Sequence, residues 1–333
     1  MTVSEEDARS NAASAASSGR GARAIAPVLL IVLSVVLVLV ADRLAPGFAT
    51  ATNILQLLKL ASFLGLVAIG QTVVMLTGGI DLSIAWVMTA SAVVFTGICQ
   101  GDDARIIPAA AAAIGVGLVT GLFNGLGVVK LRISPIVMTL ATNNIMLGAT
   151  LIYTGGTPSG SSSPLVRGLA TGNIGFVPAM VIVWCLLAVV TVVAVRYTRS
   201  GRMLLGVGEN PRVSFLTGIR NDRVIVTAYV ICGVTTSVTG ILFAAFSGAS
   251  FLGMGDQFVL PTVAAVVLGG TSMFGGRGGY GGTMAAVCFT TILTTVLVIG
   301  NIPQGVRSIV FGVAVLAAIL AQRFLTRRED RDQ

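Results

Sequence analysis

The sequence RYTRSGRMLLGVGENPRVSFLTGIRNDR, residues 196–223, is the one long charged stretch between the two tails of the chain. On both sides of it the sequence is nearly uncharged and strongly apolar. Charged residues make up 10% of the 333, against about 25% in a soluble domain, and the mean hydropathy is +0.94. The chain is therefore an integral membrane protein. A polar segment in the middle of such a chain is expected to contact something in water.

Long uncharged runs flank this segment, and each reaches the roughly 20 residues that a helix needs to cross a bilayer. Glycine pairs at 78–79 and 269–270 end two of these runs and indicate broken helices. The fold class predicted is an all-α integral membrane protein with about ten transmembrane helices. The predicted spans are 26–45, 54–77, 82–99, 106–128, 134–153, 177–195, 224–247, 258–274, 280–299 and 304–324.

Lysine and arginine give the predicted spans a direction. If both termini lie in the cytoplasm and the spans alternate, the basic residues concentrate in cytoplasmic segments, and four arginines remain outside. The net charge of +8 then comes from basic cytoplasmic segments. No nucleic-acid partner is needed to explain it. This orientation makes 196–223 a cytoplasmic loop. It predicts a disordered cytoplasmic tail over 1–24, a transmembrane domain over 25–325 and a cytoplasmic tail over 326–333.

Two segments share a pattern that suggests internal duplication. VVMLTGGIDLS (73–83) and AVVLGGTSMFG (265–275) both have a valine-rich helix end, a glycine pair and small polar residues. They fall on predicted spans that run in the same direction, as a parallel repeat requires. The match is short, so the duplication is one hypothesis only.

Polar residues inside the apolar spans are the candidates for a substrate path. Asp81 lies deep in an apolar context after the glycine pair, with Ser83 two residues later. The Asp81 carboxylate is expected either to cap the next helix or to line a polar path or proton relay. The amides of Asn124, Asn143 and Asn144 need partners in hydrocarbon, so they are expected to contact other helices or a polar substrate. Beside Asn124, glycines at 117, 121 and 125 form a stripe for close helix packing.

Several chemistries lack the residues they need. The chain has no histidine, and its four cysteines are scattered without a C-x-x-C pair. We therefore predict no catalytic residues and no metal site. The segment GRGGYG (276–281) matches G-x-G-x-x-G in form, but no soluble strand–helix unit surrounds it, and no P-loop motif occurs anywhere. No cofactor is expected in this chain.

The segment 196–223 carries the signals of a short helix. Asn210 suits the N-cap, Pro211 the first helical position and Gly218 the stop. Phe215, Leu216 and Ile219 fall on one face, with Arg212, Arg220 and Arg223 around it. Such a helix is expected to lie on the membrane surface or to dock into a groove of a soluble partner.

Four blocks of sequence resemble the permeases of ribose-type ATP-binding-cassette (ABC) importers of bacteria. In order along the chain, they are GQTVVMLTGGIDLSIAWVM (70–88), GLFNGLGVVKLRISPIVMTLATNNIMLG (121–148), GENPRVSFLTGI (208–219) and AAVVLGGTSMFGGRG (264–278). The resemblance extends from about residue 53 to 316. It implies a multi-pass permease of the bacterial cytoplasmic (inner) membrane that carries a monosaccharide, a ribose-like pentose, a hexose or a related polyol, inward as a dimer of two copies or of paralogues.

The resemblance also implies partners. They are an extracytoplasmic sugar-binding protein and a cytoplasmic ATPase that supplies ATP and Mg²⁺. The residues expected to couple to that ATPase are Gly208, Glu209, Asn210, Pro211, Arg212, Phe215, Gly218 and Ile219. The chain departs from the family where Arg212 and Val213 replace small alanines, which leaves the choice of ATPase open.

Two other classes of function remain to be weighed. One is an ion-coupled secondary transporter of a small polar solute, with Asp81 as the coupling carboxylate; a single deep acid makes this alternative weaker. The other is a membrane-embedded enzyme, for which the sequence supplies neither histidine nor paired intramembrane acids.

Overall fold

The structure is a computed structural model that describes residues 27–43 and 45–329, with side-chain surroundings as far as 320. The predicted tail 1–24 lies outside the described residues, and so does the predicted tail 326–333 from 330 onward. The helices are α1 (residues 27–43), α2 (Ala51–Leu76), α3 (Ile84–Cys99), α4 (Ile106–Lys130), α5 (Pro135–Thr154), α6 (Pro164–Thr171), α7 (Ala179–Tyr197), α8 (Arg199–Glu209), α9 (Pro211–Leu216), α10 (Asn221–Ser247), α11 (Asp256–Leu268), α12 (Tyr280–Ile299) and α13 (Gln304–Glu329).

The all-α membrane character is confirmed, since a helix stands at each of the ten predicted spans. Six described helices are long and apolar enough to cross a membrane: α2, α4 with the 3₁₀ turn before it, α5, α7, α10 and α12. Helices α3 and α11 and the stretch 304–320 of α13 are apolar but shorter. Helix α11 ends at Leu268, earlier than the predicted 274. The count of ten spans therefore stays a prediction.

Two regions that were predicted as connections have their own structure. Residues 199–209, which the sequence predicts as part of a cytoplasmic loop, form α8. Its buried Leu204 and Val207 lie on one face at i, i+3 spacing. The link between α5 and α7 holds α6 and a hairpin of β1 (Asn173–Ile174) and β2 (Val177–Pro178), which pair antiparallel. Gly175 makes the turn with φ of +63°.

Helix α2 is the centre of the molecule. Of its apolar window, 89% is buried, against 50% or less in the other candidate spans. It packs on α7, α10, α11 and α12. At one contact the Tyr280 hydroxyl of α12 donates to the Gly65 carbonyl of α2 at 2.7 Å and accepts the Trp184 indole N–H of α7, also at 2.7 Å. Three helices are thus joined by one buried hydroxyl.

The glycine stripe on α4 packs as predicted, against α10. A Cβ atom added at Gly117 would lie 2.2 Å from the Gly233 carbonyl oxygen, and one at Gly121 2.5 Å from the Tyr229 carbonyl oxygen. One at Gly125 would lie 2.8 Å from the Val226 Cα atom. No side chain fits at these positions, so the backbones of α4 and α10 are in direct contact.

The two segments suggested as a repeat end their helices in the same way. After Leu76 in α2 and Leu268 in α11, the second residue is a glycine with positive φ, +83° at Gly78 and +89° at Gly270. In both, the third residue donates its N–H to the carbonyl five residues earlier, Gly79 to Val74 and Thr271 to Val266. The equivalence follows the register of the sequence match, but the same hydrogen bond and a positive φ also close α9 and α12. The duplication therefore stays a hypothesis.

Candidate functional site

Helix α9 forms where the sequence predicts a short helix. The Asn210 side chain accepts the N–H groups of Arg212 at 3.0 Å and of Val213 at 3.1 Å, so it is the N-cap. Pro211 is the first helical residue, and Gly218 follows the helix with φ of +82°. The helix signals are confirmed. The coupling role of these residues stays a prediction.

The apolar side chains of α9 are largely exposed. Phe215 is 70% exposed and Leu216 82% exposed. Ile219, predicted on the same face, is only half-buried, because the chain turns at Gly218 and the Ile219 N–H bonds back to the Ser214 carbonyl at 3.1 Å. Ile219 is therefore less exposed than Phe215 and Leu216. Two large apolar side chains held out on a capped helix are suited to contact a partner.

Helix α8 fixes α9 to the core through Gly208. A Cβ atom added at Gly208 would lie 2.0 Å from the Leu76 carbonyl oxygen and 2.4 Å from the Gly276 backbone nitrogen. The Gly276 N–H in turn donates to the Leu76 carbonyl at 3.0 Å. Glu209, the next residue, lies 3.9 Å from Arg277 in an exposed ion pair. Three backbone segments thus meet where α2 ends.

Beyond this end lies a chain of buried hydrogen bonds. The Asp81 carboxylate accepts the Ser83 N–H at 2.8 Å and the Ser83 hydroxyl at 2.5 Å. The Asn124 amide donates to the Ser83 hydroxyl at 2.9 Å and accepts the Thr142 hydroxyl at 2.5 Å. Each of these side chains is 1% exposed. The network joins the start of α3 to α4 and α5. Because a carboxylate only accepts hydrogen bonds, the Ser83 hydroxyl donates to Asp81 and accepts from Asn124.

The two neighbouring amides on α5 differ in their contacts. The Asn143 side-chain oxygen accepts the backbone N–H of Trp86 at 3.3 Å. An amide from α5 thus caps the first turn of α3. Asn144 is exposed and donates to the Leu140 carbonyl of its own helix at 2.9 Å. Asn144 therefore makes no hydrogen bond to another helix among the described residues, because adjacent residues on a helix point about 100° apart. Its contact with a polar substrate stays a prediction.

Two residues of α10 that the sequence reasoning did not single out complete the surroundings of Asp81. The Cys232 side chain is fully buried and lies near the Asp81 carboxylate. Tyr229 is fully buried, and its hydroxyl has no hydrogen-bond partner among the described residues. A Cβ atom at Gly79 would lie 2.5 Å from that hydroxyl. A tyrosine inside an apolar span was the available signal, because a buried phenol normally seeks a partner.

Lys59 is the one lysine within a predicted span. It is 5% exposed and donates to the Thr171 carbonyl, at the end of α6, at 2.8 Å. In the part of the chain that the structure describes, no three His, Cys, Asp or Glu side chains come together as a metal site would require.

Comparison with known proteins identifies relatives of this chain. The family model described as the permease component of the branched-chain amino acid transport system matches residues 53–320. The ribose import permease protein RbsC of Bacillus subtilis is 34% identical over 86% of this chain and 90% of that relative. The corresponding protein of Escherichia coli is 30% identical over the same shares. The galactofuranose transporter permease protein YtfT of E. coli is 30% identical over 82% of this chain and 80% of the relative.

No solved structure matches this chain. The family match covers most of the sequence, including all but the first two residues of α2, helices α3 to α12 and the whole segment 196–223. The alignments with the two ribose import permeases cover 90% of the length of each relative. The chain belongs to the family of ABC-transporter permeases that includes the ribose import permeases.

Proposed function

We propose that this chain is the membrane-spanning permease of an ABC importer that carries a monosaccharide or related polyol inward across the bacterial cytoplasmic membrane. A cytoplasmic ATPase that binds ATP and Mg²⁺ drives the transport, and an extracytoplasmic binding protein delivers the sugar. Relatives named for ribose and galactofuranose import support the substrate class. The permease functions as a dimer with a second copy or a paralogue.

The observation that carries the proposal is the connection between α9 and the Asp81 network. Phe215 and Leu216 lie exposed for a partner, and α8 contacts the end of α2 through Gly208 without room for a side chain. Five residues beyond that end lies Asp81, whose hydrogen bonds join α3, α4 and α5. Docking of an ATPase on α9 would therefore move α8 against α2 and shift the helices around Asp81.

The test is Phe215→Ala with Phe176→Ala as its matched control. Both side chains are exposed, Phe215 by 70% and Phe176 by 91%. Phe176 lies in the turn of the β-hairpin and not on α9. Neither change should alter the melting temperature of the permease alone. Phe215→Ala should weaken binding of the purified ATPase by about 2 kcal/mol, as removal of an aromatic anchor does, and reduce binding-protein-stimulated ATP hydrolysis. Equal ATPase affinity for both variants would contradict the proposal.

The rival, an ion-coupled transporter, has one specific observation in its favour, the buried carboxylate of Asp81. Its test uses Asp81→Asn in proteoliposomes that hold ATP, with a protonophore added. Under our proposal, the unmodified importer keeps its uptake when the proton gradient collapses. The rival requires uptake to stop under the protonophore while ATP remains, and to be lost in Asp81→Asn.

A further inference from the structure

A groove of about 850 Å³ lies between the last turn of α4, helix α9 and the first turns of α10. We call it the α4–α10 groove. Its apolar lining comes from Leu126 and Val129 of α4, Phe215 of α9 and Val226 of α10. Its basic lining comes from Lys130, Arg212, Arg220 and Arg223. Apolar and cationic surface thus adjoin in one concave site.

The charge of this groove is strongly positive. Asp222 is the acid among its lining residues, and it pairs with Lys130 at 3.9 Å. Among the described residues, no ion pair involves Arg212, Arg220 or Arg223. Three guanidinium groups of the groove are therefore without an acidic partner among the described residues. Guanidinium forms forked hydrogen bonds that match a phosphate group.

The apolar part of the groove continues along the outside of α4. Leu118, Leu122 and Leu126 follow one another at i, i+4 spacing and are 46%, 40% and 41% exposed. They form a ridge that starts in the groove and runs up a candidate membrane span. Since α4 ends and α10 begins at the groove, its cations lie where a span leaves the hydrocarbon, at the depth of lipid headgroups.

We propose that the α4–α10 groove binds an anionic phospholipid, whose phosphate contacts Arg220 and Arg223 and whose acyl chain lies on the leucine ridge of α4. Basic pockets at the ends of membrane helices suit anionic headgroups. A soluble acidic partner would match the cations but would leave the leucine ridge uncovered. The assignment to the cytoplasmic leaflet rests on the proposed function, which places α9 in the cytoplasm; the binding itself does not.

The test compares phosphatidylglycerol with phosphatidylcholine of the same acyl chains, by native mass spectrometry of the purified permease without its ATPase. Phosphatidylglycerol adducts should exceed phosphatidylcholine adducts several-fold. The variant Arg220→Gln with Arg223→Gln should weaken phosphatidylglycerol binding on the order of tenfold. Arg199→Gln with Arg202→Gln removes the same charge from exposed positions on α8, outside the groove, and should leave binding unchanged.

Four results would overturn the inference. They are equal binding of the two lipids, an equal loss in the α8 control variant, displacement of the lipid by glycerol 3-phosphate at equal concentration, and displacement by saturating ATPase. The third would indicate a site for free phosphate esters, and the fourth a protein-docking surface. Because the main measurement contains no ATPase, a failure of ATPase coupling in Phe215→Ala assays and a failure of lipid binding are separately visible.

Discussion

At the scale of single residues, Asn124 and Asn144 are both amides in apolar helices, yet only Asn124 connects helices. It bridges Ser83 and Thr142 and is 1% exposed. Asn124→Ala should lower the free energy of unfolding by about 1–3 kcal/mol, because it leaves two buried hydroxyls with lost partners. Asn144→Ala, which removes one exposed bond within its own helix, should change it by less than about 0.5 kcal/mol.

Denaturant titration in mixed micelles measures both values. Equal losses for the two variants would mean that the hydrogen bonds around Asp81 do not stabilise the fold, and the network would then be no more than a set of local contacts. Sugar uptake measured on the same variants separates a loss of stability from a loss of transport.

The sequence identifies Asp81, Ser83 and Asn124 as unusual, because polar groups in hydrocarbon need partners. It does not identify their partners. Thr142, which lies next to Asn143, is not distinguished by the sequence from the many other threonines. Partner choice depends on how α3, α4, α5 and α10 are rotated against each other, and a single sequence carries little of that information.

At the scale of elements, α9 could be predicted and α8 could not. The start of α9 follows from a local rule, since the Asn210 side chain accepts the first free N–H groups and Pro211 needs no partner. Helix α8 contains Gly201, Gly206 and Gly208, which disfavour a helix by about 1 kcal/mol each. Burial of its apolar face against the rest of the protein compensates, and that contact is set by the tertiary fold.

The packing of α4 on α10 gives a prediction for a pair of helices. Gly121→Ala places a Cβ atom 2.5 Å from the Tyr229 carbonyl oxygen, which is backbone and cannot rotate away. The two helices must separate, at a cost of about 1–3 kcal/mol. Gly115→Ala, on the same helix with nothing within 4 Å of the added atom, should be neutral or stabilise by up to about 1 kcal/mol.

Melting temperature and the monodisperse fraction in size-exclusion chromatography report both changes. A Gly121→Ala protein as stable as Gly115→Ala would show that α4 and α10 are not in close contact in the membrane.

At the scale of the whole molecule, hydropathy locates the helices but not the centre. Helix α7 has the highest mean hydropathy of the candidate spans, 2.5, and is 33% buried; α2 has 1.8 and is 89% buried. In a bilayer, lipid-facing residues are as apolar as the core, so hydrophobicity does not distinguish them. The glycines of α2, such as Gly65 and Gly70, are the better sign of the centre, because neighbouring helices contact them closely.

The orientation of the whole chain is the prediction on which both the ATPase site and the lipid leaflet depend. It places the β-hairpin outside and α8 inside, and it is tested with single cysteines at Phe176 and Ser200, both exposed. The background is Cys185→Ser, because the other native cysteines are at least partly buried. A membrane-impermeant maleimide should label Phe176→Cys in intact cells and Ser200→Cys only in inside-out vesicles. The reverse pattern would place α9 outside, where a cytoplasmic ATPase cannot reach Phe215.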